Sequence, residues 1–262
     1  MHLIFAVHTG KRSLASVCQR LMRTAEANGF TCSLLNADDD VPNKAEDTAI
    51  VAVGGDGNFI RTAQVACQRK LPLFGVNCGR IGFLTEWTEE RFPEALTMLR
   101  DGTYRIEERA MLAVALNGEH QRDCFNDLLV YKHSFSGVTQ ISVMINGHEI
   151  GELFGDGLVI ATPNGATGYS LSAGGPILAD GLQAMLVTPI CAHTLHFRPV
   201  VCSQDSSVSI TMEAKGVLAA DGDRFRTVSR GDRITVTRSD RVTKLITFRD
   251  RSLFRLISEK LN

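Results

Sequence analysis

Asp56 stands inside Val51-Ala52-Val53-Gly54-Gly55-Asp56-Gly57-Asn58, a short apolar run closed by glycines around one carboxylate. A strand that turns on glycines into a helix suits a phosphate. Glycine lets the backbone come close to a ligand, and free N–H groups at a helix start attract anions. Gly54, Gly55, Gly57 and Asn58 are the candidates for that contact. A carboxylate in the same turn repels phosphate unless a metal ion intervenes or the carboxylate takes part in the reaction. Removing a proton from an attacking hydroxyl is such a part. The stretch therefore points to phosphoryl transfer, with Asp56 as general base. Asp56 capping its helix is the plain structural alternative. Arg61, in the first turn of that helix, is either a phosphate contact or a solvated arginine.

A second stretch, Asp156 to Pro176, is richer. An apolar strand, Leu158-Val159-Ile160-Ala161, opens into a long segment of glycines and hydroxyls that includes Thr167, Gly168, Tyr169, Ser170, Leu171 and Ser172. A loop of this length inside a compact domain is usually functional. Asn126-Asp127 precedes the apolar Leu128-Leu129-Val130. An amide beside a carboxylate reads both donor and acceptor edges of a base or ribose, and equally makes a turn. Asp156, between Gly155 and Gly157, carries the same two readings. His193 reads as a core histidine, with a ligand contact as the alternative.

The elements that must hold these residues fall into two textures. The first is α/β: strands His2–Val7, Phe30–Leu35, Ala49–Val53 and Leu73–Val76 alternate with helices over Lys11–Asn28, about Asn58–Lys70, and Thr88–Arg100. Short apolar strands separated by amphipathic helices describe a buried parallel sheet, a Rossmann-like doubly wound domain. After about Tyr104 short β-runs follow one another: Met111–Leu116, Leu128–Tyr131, Gln140–Ile145, Glu149–Phe154, Leu158–Ala161, Val208–Met212, Phe225–Val228, Arg233–Thr237 and Leu245–Phe248. Asn146-Gly147 marks a hairpin, and Asn117-Gly118, Asp221-Gly222 and Gly231-Asp232 mark further turns. The expected architecture is an N-terminal α/β domain over 1–104, an all-β sandwich over 105–250, and a terminal helix over 251–262 that packs back on the first domain.

Bulk properties exclude several classes. The chain has 262 residues, 44% of them hydrophobic, and a formal net charge of −1 with scattered Lys and Arg. Such a surface offers no footprint for nucleic acid or an anionic membrane. No apolar run reaches the roughly 20 residues that span a bilayer. The apolar start has no basic flank before it and no cleavage site after it, so it reads as a strand. The 7 cysteines include no C-x-x-C pair. Buried reduced thiols in a cytoplasmic protein are the simplest reading, and no metal-ligand set is evident. The phosphate turn lacks the lysine of a P-loop, and Ile60 stands where a dinucleotide fingerprint needs its third glycine.

Taken together, the Gly54–Gly57 turn, Gly75–Phe83, Asn126-Asp127, Asp156–Pro176, Pro189–His193 and Arg198-Pro199-Val200-Val201 resemble the NAD kinase family, in the family's order. Lipid and sugar kinases share turns like the first; the Thr162–Pro176 segment is the specific one. The resemblance implies transfer of the γ-phosphoryl of ATP to the 2′-hydroxyl of the adenosine ribose of NAD, giving NADP. A divalent metal, such as magnesium, would assist, and Asp56 would be the base. It also implies that Asn126 and Asp127 hold the adenosine portion and that Asp156 contacts the dinucleotide. Thr167, Tyr169 and Ser172 would line that pocket, and Gly57, Arg61 and Phe83 would border it. A homodimer or homotetramer is implied as well. The chain departs from the family at Asn58, at Asn164 to Gly168, at Ala192 and at Asp223. A non-catalytic NAD(P)-binding sensor, and a related lipid or sugar kinase, are the alternative functions.

Overall fold

The computed structural model describes residues 1–7, 12–35, 47–79, 82–179, 181–194, 196–248 and 257–258. In chain order these form β1 (His2–Val7), α1 (Arg12–Ala27), β2 (Thr31–Leu34), β3 (Thr48–Val53), α2 (Asp56–Arg69), β4 (Leu73–Asn77), β5 (Trp87–Thr88), α3 (Phe92–Arg100) and β6 (Arg105–Leu116). There follow β7 (Glu119–Cys124), β8 (Asp127–Lys132), β9 (Thr139–Ile145), β10 (His148–Gly155), β11 (Gly157–Ala161) and a one-turn α4 (Tyr169–Ser172). The chain continues through β12 (Ala184–Ile190), β13 (Val200–Ser203), β14 (Val208–Met212), β15 (Gly216–Ala220), β16 (Asp223–Val228) and β17 (Arg233–Thr247). Two compact units result: Met1–Arg109 with Val242–Asn262, and Ala110–Arg241.

The first unit is α/β. Its parallel strands run in the order β17-β4-β3-β1-β2, with β5 also on β4. The inner strands β3 and β4 are buried on both faces, so their sequences are continuous apolar runs rather than alternations. Helix α1 presents Cys18, Leu21 and Ala25 to the sheet, and Gly29, at φ +86°, ends it where a side chain would be strained. The strand order reverses between β1 and β3. The β1–β2 crossover therefore carries α1 to one face and the β3–β4 crossover carries α2 to the other, while α1 and α3 touch. In open α/β sheets, ligands bind outside the carboxyl ends of the strands at such a reversal.

The second unit is a β-sandwich. One sheet runs β13-β12-β11-β8-β15-β16, all antiparallel. The other runs β10-β9-β14-β17, with the β6–β7 hairpin attached to β17. Strand β9 alternates buried and half-buried residues, and Ile141, Val143 and Ile145 meet Val130, Leu158, Ile160 and Val187 in one core. Each such side chain contributes roughly 1.5–3 kcal/mol when fully buried. Strand β11 is buried on both faces because the segment after it folds back over the outer face of its sheet, where Ala166 and Leu178 cover Val159 and Ala161.

Several expectations are corrected. Helix α2 begins at Asp56, two residues earlier than the spacing suggested, with Gly55 as its cap. Helix α3 begins at Phe92 rather than Thr88, because Trp87 and Thr88 pair with β4 as β5. The runs Arg233–Thr237 and Leu245–Phe248 belong to one continuous strand, β17, apart from Phe248. Strands β7, β12, β13 and β15 were not anticipated. The predicted terminal helix lies outside the described residues, save Ile257 and Ser258, which are helical. Among the described residues no helix is long and apolar enough to cross a membrane.

Candidate active site

The first cluster lies at the carboxyl end of β3. Gly54 leaves the strand at φ +138°, a conformation that favours glycine, and its N–H donates to the Val76 carbonyl at 2.9 Å. Gly55 is extended and caps α2 without a side-chain bond. The Asn58 amide donates to the carbonyls of Ala6, at 3.1 Å, and Val53, at 2.9 Å. Asn58 thus ties the ends of β1 and β3, the two strands at the order reversal, to the helix start. Gly57 and Arg61 lie exposed along the first turns of α2.

Asp56 does not cap its own helix. Its carboxylate accepts the backbone N–H of Phe83 on Oδ2 at 2.7 Å and that of Leu84 on Oδ1 at 3.1 Å. The Thr85 hydroxyl reaches Oδ1 at 3.4 Å. Gly82 makes this clasp possible: a Cβ there would collide with the Asp56 carboxylate. A carboxylate offers about four lone-pair positions. Among the described residues these bonds use two on Oδ1 and one on Oδ2, which leaves an acceptor position on Oδ2.

The second cluster gathers in the sandwich unit. Asp221, in the β15–β16 turn at φ +52°, accepts the backbone N–H groups of Phe125, Asn126 and Asp127 at 2.8, 2.7 and 3.2 Å. The segment after β11 closes on the same residues. Thr162 donates its N–H to the Asn126 carbonyl and its hydroxyl to the Phe125 carbonyl, each at 2.8 Å. Gly165 lies so close to the Asn126 carbonyl that a Cβ would overlap it. A Cβ on Gly168 would lie 3.5 Å from Asn126 Nδ2 and 3.6 Å from Asp127 Oδ2.

Asn126 Oδ1 is buried with no partner among the described residues. An orphaned buried acceptor costs about 1–3 kcal/mol, and a site that awaits a donor from a ligand accounts for one. Burial, and then the charge of Asp221, pushes the Asp127 carboxyl up to about 7.

The long segment itself folds into a 3-10 turn, Gly165–Thr167, followed by α4. Thr167 and Leu171 are half-buried, and Tyr169 and Ser172 are exposed. Ser170 points inward, its hydroxyl bonded to that of Thr188 at 2.8 Å with both residues fully buried. Ser170 therefore anchors the turn rather than presenting its hydroxyl. Asp156 is held by Lys132 at 2.6 Å, which keeps its carboxyl below the usual range, and the Tyr131 hydroxyl lies at 3.5 Å. His193 is exposed, contrary to the core reading, and its N–H donates to the Phe154 carbonyl.

Asp221, Lys132, Asn77, Gly82 and Thr85 were missed as site residues. Asp221-Gly222 carried only a turn signal, Asn77 and Gly82 lie within the Gly75–Phe83 motif without a role of their own, and Thr85 lies just beyond it. Among the described residues no group of three His, Cys, Asp or Glu side chains could hold a metal ion. The 7 cysteines form no disulfide, and burial raises the Cys18, Cys32 and Cys78 thiols to about 11.

Two family models match: the ATP-NAD kinase N-terminal domain over residues 38–104 and the ATP-NAD kinase C-terminal domain over residues 125–248. An NAD kinase of Geotalea daltonii is 36% identical over 242 residues, which cover 90% of this chain and 84% of the relative. One from Natranaerobius thermophilus is 39% identical over 219 residues, covering 81% and 77%. The crystal structure of an Archaeoglobus fulgidus NAD kinase in complex with ATP has a TM-score of 0.79 and 25% identity, covering 100% of this chain and 98% of its own. Yeast NADH kinase complexed with NADH has a TM-score of 0.86 at 19% identity, covering 100% and 87%, a likeness of fold.

Proposed function

The chain belongs to the NAD kinase family, and we propose that it transfers the γ-phosphoryl group of ATP to the 2′-hydroxyl of the adenosine ribose of NAD. The 2′-oxygen forms a bond to the γ-phosphorus as the bond to the β-phosphate oxygen breaks, and ADP leaves. The hydroxyl proton passes to Asp56. NADP is the product.

The observation that carries this reading is the clasp on Asp56. Two backbone N–H groups and a hydroxyl fix the carboxylate at the strand-order reversal, with an acceptor position left on Oδ2 among the described residues. A base needs this directional hold, because its contribution of on the order of 10²–10⁴-fold depends on alignment with the proton it takes. Gly54, Gly55 and Gly57 are assigned to the phosphates, with Asn58 bracing their turn. The remaining acceleration comes from placing donor and acceptor in line.

Asn126 and Asp127 hold the adenosine portion. The unpartnered Asn126 Oδ1 supports this, since an adenine amino group would satisfy it. Asp156, Thr167, Tyr169 and Ser172 contact the dinucleotide from the sandwich unit, and Arg61 and Phe83 are assigned to the substrates from the α/β unit. Gly168 and Leu171 shape the loop. The described residues do not fit a resident metal ion, since no cluster of ligands is present. Magnesium therefore enters with ATP, on the phosphates of the substrate. The protein works as a homo-oligomer in the cytoplasm.

The test is NADP formation. Purified protein is mixed with NAD, ATP and Mg²⁺, and the product is read by an NADP-specific dehydrogenase. Steady NADP production is the expected result. NAD binding in calorimetry with no NADP would point to the sensor reading instead.

A further inference from the structure

Behind the clasp on Asp56 lies a directed chain of hydrogen bonds. Asn77, the last residue of β4, and Thr85 are both buried, at 3% and 1% exposure. The Gly79 N–H donates to Asn77 Oδ1 at 2.6 Å, which fixes the orientation of the amide. Asn77 Nδ2 is then the atom that faces Thr85, and it donates to Thr85 Oγ1 at 2.8 Å. A threonine hydroxyl has one proton to give. With the amide already donating to its oxygen, that proton is directed at Asp56 Oδ1.

Packing holds Thr85 in place as well. A Cβ on Gly75 would press on Thr85 Cγ2 at 2.7 Å, and one on Gly82 would press on Thr85 Oγ1 at 2.7 Å. Thr85 is thus seated between two positions that only glycine fills.

We infer that Asn77 and Thr85 are positioning residues that saturate Oδ1 of Asp56, so that Oδ2 is the oxygen that takes the proton of the acceptor hydroxyl. The inference rests on the reading of Asp56 as the base. The Leu84 N–H and the Thr85 hydroxyl fill Oδ1, whereas Oδ2 receives the Phe83 N–H alone among the described contacts. Loss of the hydroxyl frees one acceptor position on Oδ1, so that each oxygen keeps a single N–H donor and the carboxylate can turn between two equivalent faces. Substrate binding is untouched, because neither Asn77 nor Thr85 is assigned to a substrate.

The experiment measures kcat and KM for NAD and for ATP in T85V, T85S, N77D and D56N. T85V keeps the shape and loses the proton; its kcat falls on the order of tenfold, the lower end for a bond to a charged group, with both KM values unchanged. T85S keeps the hydroxyl and recovers most of the turnover. N77D still accepts the Gly79 N–H but draws the Thr85 proton toward itself, so its kcat falls as in T85V. Should T85V fail to fold, N77D decides alone. Unchanged kcat in the folded variants, or T85S as slow as T85V, overturns the inference. D56N separates the two levels. A dead D56N beside a normal T85V sinks the positioning role only, whereas a D56N that turns over normally sinks the base and the relay together.

Discussion

The carboxylate of Asp221 accepts the backbone N–H of Asn126 at 2.7 Å, across 95 positions of sequence. The same carboxylate holds the N–H groups of Phe125 and Asp127, so one side chain fixes the backbone that presents the Asn126-Asp127 pair. D221A would leave these donors without their acceptor. Stability is expected to fall by at least about 2 kcal/mol, and NAD affinity to fall with it. D221N retains a carbonyl oxygen and is expected to lose less of both. Urea unfolding and calorimetry with NAD give the two numbers; a D221A protein with wild-type NAD affinity would remove Asp221 from the site.

Asp127 gives stability a pH dependence. Burial, and then Asp221, raises its carboxyl from the ordinary 3.8 to about 7. Between those values the folded protein keeps a proton that the unfolded chain releases. The neutral acid's contribution is therefore full below the ordinary value and is lost as pH rises through about 7. Asp156 and Asp232 are lowered and slope the opposite way, losing their contribution as pH falls. The difference between wild type and D127N isolates Asp127. The Tm of wild type should fall relative to that of D127N between about pH 4 and about pH 7. Parallel Tm curves would contradict the raised acid.

Ser170 and Thr188 share one buried hydrogen bond at 2.8 Å. S170A leaves the Thr188 hydroxyl unpaired and should cost about 1–3 kcal/mol. Replacing both, as S170A with T188V, should cost less than the sum of the single changes. Additive costs in a denaturant cycle would mean that the two hydroxyls do not depend on each other.

Gly82 is expected to tolerate no side chain. In G82A the new methyl group displaces the Asp56 carboxylate from the clasp. Turnover should fall by at least about tenfold, the scale on which a misplaced catalytic group is felt, while NAD binding persists. Wild-type kcat in G82A would show that the clasp is not needed.

What the sequence revealed followed from local signals. The apolar run Val51–Val53 and its glycines announced β3 and the turn that carries Asp56, because burial on both faces demands apolar side chains and the turn demands glycine. Asn146-Gly147 announced its hairpin, with both residues at positive φ. What stayed hidden depends on partners distant in sequence. Strand β7, Glu119–Cys124, reads as a polar loop and becomes a strand only because β6 pairs with it. The polar centre of β17, Arg238 to Arg241, looked like a break, yet the chain stays extended through it. Asp56 was visible as a carboxylate, but the loop that orients it lies 27 to 29 positions away. Asp221 was visible only as a turn for the same reason.

The central claim is that Asp56 takes the proton of the acceptor hydroxyl. The most direct test compares NADP formation by wild type and D56N at saturating NAD, ATP and Mg²⁺, with NAD affinity measured on the same samples. The account predicts NAD affinity near that of wild type and turnover lower by at least about a hundredfold, the contribution of a general base. Equal turnover in D56N would contradict it.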